Sequence, residues 1–453
     1  MKTALATPSD DDLLRTRDDL SAFFHEAIQL DPARHLVGPE LEKFGVTADG
    51  KPLGYEIGVA RVLDTLVAGY GWEPEYEKPG GPRIALKRRA ASVTLEPGGQ
   101  LELSGAAVAD VHAIADEAEE HMREIEPASR ELGVRWLGVG FHPFAALSDF
   151  SWVPKARYTV MRQYLQTRGS HGLDMMHRTC TVQGNYDFTS ERDAMRKVRL
   201  GMKLAPLVAA TFANSPWLEG KEHGGVSLRA KVWLDVDPDR TGLVPAIWHE
   251  NAGFDAYIDW ALDAPMFLFK RNYEVIANTG QTFRSFMQSG FEGHAATRGD
   301  WVLHLNTLFP EVRLKRTIEI RSADSQGREL GNALPAMYAG LYYDAAALEA
   351  AEALTESWTY AEVEALRQVV WREGLRAEFK GRKLASHAEA ILDIARGGLA
   401  RRARKNAAGR DETIYLEALC ALVARGQTPA DALLEKTRGE ADLRAAIIRE
   451  TAI

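Results

Sequence analysis

Two acidic segments with strand periodicity constrain this chain most. In Glu40-Leu41-Glu42 and in Glu96-Pro97-Gly98-Gly99-Gln100-Leu101-Glu102, acids and amides recur at the spacing that puts residues two apart on one face of a strand. Pro97, Gly98 and Gly99 predict a tight turn. A hairpin there aligns Glu96, Gln100 and Glu102 on one surface and Val93, Leu95, Leu101 and Leu103 on the other. Carboxylates crowded in a low-dielectric cleft repel one another unless protons or cations compensate. Oxygen donors of this kind suit magnesium or manganese.

Three more segments read as one-sided strands. Thr181, Gln183, Asn185 and Asp187 alternate with Val182, Tyr186 and Phe188. Arg229, Lys231, Trp233 and Asp235 alternate with Leu228, Ala230, Val232 and Leu234. Arg313, Lys315, Thr317, Glu319 and Arg321 alternate with Leu314, Ile318 and Ile320, with Arg316 the misfit. An antiparallel sheet packs one face on a core and leaves the other open. The open face would here gather acids, carboxamides and arginines, the parts that metal and phosphate chemistry needs. The expected fold class is α+β, with a polar sheet face forming a funnel backed by helices.

The chain has 453 residues, enough for one large catalytic unit with a helical appendage or for two domains. Residues 1–34 read as an acidic arm leading into a helix around Leu20 to Ile28. Residues 35–332 read as the catalytic unit, and 333–453 as a helical region packed on it. Helix starts are predicted at Thr359 and at Thr428-Pro429, the latter with proline in the first turn. No apolar run is long enough for a membrane helix, and the first fourteen residues lack a secretory pattern, so the expected compartment is the cytoplasm. Two cysteines, Cys180 and Cys420, exclude a disulfide scaffold. The net charge of −9 opposes nucleic-acid binding, and the basic stretch Arg396 to Arg410 reads as a solvated helix face. His171 and His177 do not have the spacing of a helical metal pair, Cys180 reads as a buried thiol, and Asp235 to Asp239 lacks the glycine and terminal glutamate of a calcium loop. No GxxxxGK motif occurs, so any nucleotide phosphates would be held by metals and scattered basic residues.

The stretches GPELEKFG, TLEPGGQLELSG, PKARYTVMRQYL, GLDMMHRTCTVQGNYDF, TFANSP, DRTG and FPEVRLKRTIEIRSAD, spread from Val37 to Thr428, resemble the plant and proteobacterial type of glutamate-cysteine ligase. The resemblance implies a glutamine-synthetase-like fold, a curved and mainly antiparallel sheet. It also implies an ATP- and magnesium-dependent reaction that joins the γ-carboxylate of glutamate to the amine of cysteine through γ-glutamyl phosphate. Carried over residue by residue, it makes Glu40, Glu42, Glu96, Glu102 and Glu319 metal ligands. Arg321 becomes the group that stabilises the transferred phosphoryl, with Glu42 beside it as a catalytic group. Asn185, Arg313, Lys315 and Arg321 fall to the nucleotide, and Arg157, Arg229, Gln183, Trp233 and Phe267 to the amino-acid substrates. The implied partners are glutamate, an amino-acid amine and ATP, acting on a monomer or homodimer, without nucleic acid or membrane. The chain departs from the family at Phe267, where a tyrosine of the acceptor pocket is usual, and around Ile320 to Gln326. These departures motivate the alternative of a different amine acceptor.

Overall fold

The computed structural model describes residues 9–453, so the opening reading of the first eight residues lies outside the described part. Its centre is one nine-stranded sheet. The strands are β1 (Val37–Val46), β2 (Glu73–Tyr76), β3 (Arg83–Arg88), β4 (Ala91–Leu95), β5 (Leu101–Ser104), β6 (Arg135–Leu137), β7 (Thr181–Tyr186), β8 (Val312–Leu314) and β9 (Ile318–Asp324). They run in the order β8-β9-β7-β1-β5-β4-β3-β2, with β6 on the far end of β1, and every pairing is antiparallel. The expected α+β class with a large, mainly antiparallel sheet is what forms.

Both acidic motifs are strands as predicted. In the turn between β4 and β5 the Gly99 amide donates to Glu96 O at 2.9 Å and the Glu96 amide to Gln100 O at 3.0 Å. Gly99 sits at φ +85°, and a Cβ there would meet Leu53 O at 2.9 Å, so the turn needs glycine twice over. Val93, Leu95, Leu101 and Leu103 are buried on the back face. Gln100 lines the cavity beside Glu96 and Glu102, at its floor. It is buried, and its Nε2 donates to Met176 O and Thr179 O, which ties the turn to the neighbouring Gly172–Arg178 helix.

Two segments differ from expectation. Leu228 to Asp235 is no strand: Leu228–Val232 is a short helix, capped by Ser227, whose Oγ accepts from the Ala230 amide at 3.0 Å. Alternating apolar residues four apart also suit one helical face, and Leu, Arg, Ala and Lys are good helix formers, so burial of Leu228 and Val232 together decides the matter. Arg313 to Arg321 is a hairpin of β8 and β9 rather than one strand, with the Lys315 amide donating to Thr317 O at 2.9 Å across the turn. Arg316 is the misfit because it is a turn residue.

The N-terminal helix runs Arg17–His25, three residues earlier than read, because Thr16 and Asp19 form a capping box. Thr359 and Thr428 are helix N-caps as predicted, with Pro429 in the first turn. The basic stretch is helical only as far as Arg402, where the Leu384–Arg402 helix ends.

Helices back the sheet. Ala60–Tyr70 and Val111–Leu132 cover the β4–β5 end, while Glu191–Thr211 and Ala333–Tyr342 cover β7 to β9. The Ala333–Tyr342 helix is wholly buried because Leu384–Arg402 lies on its outer side. There a Cβ on Gly398 would come within 2.0 Å of Gly340 O, so backbone meets backbone. One hydrophobic cluster runs from Leu14 through the sheet to Val423, so the described parts of segments 1–34, 35–332 and 333–453 share a core. The chain end is tied back as well, the Ile453 amide donating to Trp136 O at 3.0 Å. Among the described residues no helix is long and apolar enough to cross a membrane.

Candidate active site

The register of the central strands puts the polar side chains on one face. Glu42 lies opposite Glu102 and Glu40 opposite Ser104 and Gln183. Thr94 pairs with Glu102, Asn185 with Glu319, and Glu319 with Arg313. Directly paired residues of antiparallel strands share a face, so strands far apart in sequence deliver their acids to one wall. Opposite this wall stand the Ala156–Leu165 and Leu228–Val232 helices and the segment Leu303 to Phe309. The cavity between has a volume of about 380 Å³, within the range of small-molecule sites, and is open to solvent on one side.

Glu40, Glu42, Glu96 and Glu102 all reach this cavity. Glu42 Oε2 accepts from the Thr181 amide at 2.9 Å, and Glu40 Oε1 from Asn185 Nδ2 at 2.9 Å. Glu102 accepts from Thr94 Oγ1 and from Ser104 Oγ, the latter at 2.7 Å. These are neutral donors, and none of the four glutamates has an ion-pair partner among the described residues. Burial, and then repulsion from Glu319 and Glu102, pushes the Glu40 carboxyl up to about 7. Burial, with Glu96 and Glu102 nearby, raises Glu42 well above the ordinary range. Without a cation the Glu40 and Glu42 carboxyls favour their protonated forms, because no ion pair within the described residues offsets the charge they would carry when ionised.

The β8–β9 side is the opposite. Glu319 is fully buried, yet its carboxyl lies well below its usual range. Burial alone would raise it; Arg313, Lys315 and Arg321 overcome that. Arg313 grips it with two bonds, Nε to Oε2 at 2.9 Å and Nη2 to Oε1 at 2.8 Å. Lys315 Nζ lies 2.6 Å from Oε2 and Arg321 Nη1 2.5 Å from Oε1. Arg321 also donates to Gln183 Oε1 at 2.8 Å, and Arg229 Nη2 donates to Arg321 O at 2.8 Å. Arg313, Arg321, Arg229 and Arg157 all face the cavity, where Trp233 adds an indole whose buried Nε1 has no partner.

Four of the residues assigned from sequence lie off the cavity lining. Glu319 and Asn185 stand behind it, bound to Arg321 and Glu40 respectively. Lys315 lines a separate groove beside Arg298 and Arg316. Phe267 is fully buried, its ring 3.8 Å from the Arg240 guanidinium and 5.1 Å from Tyr164. It packs in the core behind Leu268, so a substrate-binding role for Phe267 is corrected: the following residue, on the alternate face, is the one that meets the cavity. His177 is packed against Trp152 and Phe150, and His171 bonds Asp174 at 3.0 Å; neither reaches the site.

Sequence reasoning missed Lys155 and Tyr158. Lys155 Nζ and Tyr158 Oη both donate to Leu95 O at 2.7 Å, which locks the base of the hairpin that carries Glu96. Burial, and then Arg157, brings the Lys155 ammonium down to about 7. No local signal marked them, since both act through the Leu95 carbonyl about sixty residues earlier in the chain.

The four cavity glutamates fit a divalent cation: all donors are carboxylate oxygens and the charge is uncompensated. Among the described residues no three His, Cys, Asp or Glu side chains converge closely enough to hold an ion alone, so substrate oxygens and water would complete the shell.

Comparison with known proteins agrees with this geometry. The family model "Glutamate-cysteine ligase family 2" matches residues 36–449. The chain is 42% identical over 429 residues to the chloroplastic glutamate–cysteine ligase of Brassica juncea, covering 94% of this chain and 82% of that one. It is 41% identical over 424 residues to chloroplastic glutamate–cysteine ligase B of Oryza sativa subsp. japonica, covering 92% and 83%. The crystal structure of glutamate–cysteine ligase from Francisella tularensis in complex with AMP superposes with a TM-score of 0.58 at 12% identity, over 94% of this chain and 88% of that one. That likeness bears on the fold, which is the glutamine-synthetase-like one the resemblance implied. The expectation of a cytoplasmic compartment is overturned, because the curated relatives are chloroplastic enzymes. A search for a secretory leader does not detect organelle-directing segments, whose composition is different.

Proposed function

From membership of glutamate-cysteine ligase family 2, to which this chain belongs, we infer that it joins the γ-carboxylate of glutamate to the amine of cysteine at the expense of ATP. A carboxylate is a poor acyl donor in water. Its γ-oxygen attacks the γ-phosphorus of ATP, ADP departs, and the resulting γ-glutamyl phosphate carries a good leaving group. The cysteine nitrogen then attacks the acyl carbon, the C–O bond to phosphate breaks, and the amide forms with loss of a proton.

The side chains divide this work by charge. Arg157 and Arg229 suit the amino-acid carboxylates, because a planar guanidinium binds a carboxylate with two bonds and so fixes its orientation. Gln183 and Trp233 add donors on either side. Arg321 stabilises the transferring phosphoryl group, with Arg313 anchoring Glu319 behind it. A magnesium or manganese ion would be held by Glu40, Glu42, Glu96 and Glu102, and supplies neutralising charge to the phosphate oxygens. Glu319 holds the Arg321 guanidinium in place, so that phosphates arriving in the cavity would meet a pre-positioned cation.

The observation that carries this reading is a single cavity lined by four glutamates with no ion-pair partner among the described residues and by four arginines, Arg313 and Arg321 from the sheet and Arg157 and Arg229 from the helices opposite. A different acceptor loses its main support, since Phe267 does not reach the cavity. The test is mass spectrometry of the purified protein with glutamate, ATP and magnesium plus a panel of amines. γ-Glutamylcysteine as the dominant, ATP-dependent product supports the reading; no product, or a preference for another amine, rejects it.

A further inference from the structure

The back face of the sheet holds a second pocket that ligation does not use. On β1, Leu41 and Lys43 point away from Glu40 and Glu42, and Leu103 and Val182 lie opposite Leu41 on the neighbouring strands. The Val111–Leu132 helix covers them with Ala118, His121 and Met122, and Ser325 to Gly327 close one end. The enclosed space is about 70 Å³ and opens to solvent beside the Glu119–Arg328 ion pair.

Its walls are apolar, but its polar groups are unsatisfied. Lys43 is 3% exposed, and its Nζ has one contact, to Leu41 O at 3.4 Å, with no carboxylate paired to it among the described residues. His121 is 1% exposed and neither ring nitrogen has a partner. Gln326 Oε1 and Asn332 Oδ1 are also unpartnered, and the Gln326 amide is fixed in orientation because Nε2 donates to Phe212 O and Asp324 O. A buried ammonium without an anion costs several kcal/mol, and each buried polar atom without a partner adds to that. The groups missing from this pocket are an anion for Lys43 and a donor for the two amide oxygens.

We propose that this pocket binds a small zwitterion of the α-amino-acid class with an apolar or thioether side chain. The carboxylate meets Lys43 Nζ, the ammonium donates to Gln326 Oε1 and Asn332 Oδ1, and the side chain packs between Leu103 and Met122. Because Ser325 Oγ donates to Glu42 O at 2.6 Å, the bound molecule also braces the strand that carries Glu42.

The probe is radiolabelled L-methionine in equilibrium dialysis with the full chain, in saturating glutamate and cysteine without ATP, so that the amino-acid sites of the cavity are filled. Saturable binding with a Kd of about 1 mM or tighter is expected. It should weaken at least about tenfold in Lys43→Met, and 3-(methylthio)propylamine, which lacks the carboxylate, should fail to compete. Ala118→Phe fills the pocket without touching Lys43 and carries the test if Lys43→Met does not fold by circular dichroism. Absence of saturable binding up to about 10 mM assigns the pocket to water and overturns the proposal. So does displacement by further glutamate or cysteine, or wild-type binding in either folded variant. None of these readouts depends on ligase activity.

Discussion

The two sides of the sheet face differ in how their negative charge is met. Around Glu319 the protein supplies three cations of its own, and the carboxyl is held ionised despite complete burial. Around Glu40, Glu42, Glu96 and Glu102 it supplies hydroxyls and amides only, and burial with mutual repulsion lifts the Glu40 and Glu42 carboxyls. The first arrangement is complete within the chain; the second calls for positive charge from outside. The same residue type thus serves as an anchor for arginines on one side and as a ligand for cations on the other, and what distinguishes them is the neighbouring strand.

The comparison can be broken most severely at Glu42. Glu42→Gln should lower turnover by more than about 10³-fold, since it removes a charge meant for a metal that neutralises phosphate. Steady-state ADP release measures this, and unchanged turnover removes Glu42 from the site. Next comes the contrast in stability. Glu319→Gln leaves two arginines and a lysine without their anion and should cost about 3–5 kcal/mol in urea unfolding of the metal-free protein. Glu40→Gln relieves repulsion and should stabilise that same protein by about 1 kcal/mol. Equal effects of the two substitutions would erase the difference between the sides. Arg321→Lys keeps charge but loses the planar fork, and should lower kcat by about 10²-fold with little change in glutamate KM.

A smaller effect separates the two sides by pH. The Glu40 carboxyl is raised to about 7 from an ordinary 4.5, so the folded state binds the extra proton. Its contribution to the metal-free protein is full below the unfolded value and is lost as pH rises through the folded one. Buried His142 and His304, brought down to about 3 chiefly by burial, act in the reverse sense: their stability is full above 6.5 and declines below it. Melting temperature against pH should therefore peak in the weakly acidic range for the wild type. In Glu40→Gln the fall above that peak should flatten while the fall on acidification persists, at about 1 kcal/mol per histidine one unit below 6.5.

Much of this site was legible in the sequence because period-two alternation and a Pro-Gly-Gly turn are local signals. Glu40, Glu42, Glu96, Glu102, Gln183 and Arg321 sit where alternation put them, and strand register, which sequence does not contain, brings them together. The Leu228 segment misled because its alternation is a strand signal, whereas the Ser227 cap and the burial of Leu228 and Val232, four apart on one helical face, make Leu228–Val232 a helix. The β8–β9 turn was hidden because Lys315-Arg316-Thr317 contains neither glycine nor proline. Lys155 acts through a carbonyl sixty residues away, a contact that only tertiary packing creates. Phe267 was assigned from the family resemblance rather than from a local pattern, and its ring packs in the core while the next residue, Leu268, meets the cavity.

The most direct test is a crystal structure with manganese and a non-hydrolysable ATP analogue, read by anomalous scattering at the manganese edge. Density in the cavity in contact with Glu42 and its neighbours Glu96 or Glu102 is the predicted result. Manganese confined to the exterior, or bound with those carboxylates untouched, would contradict it.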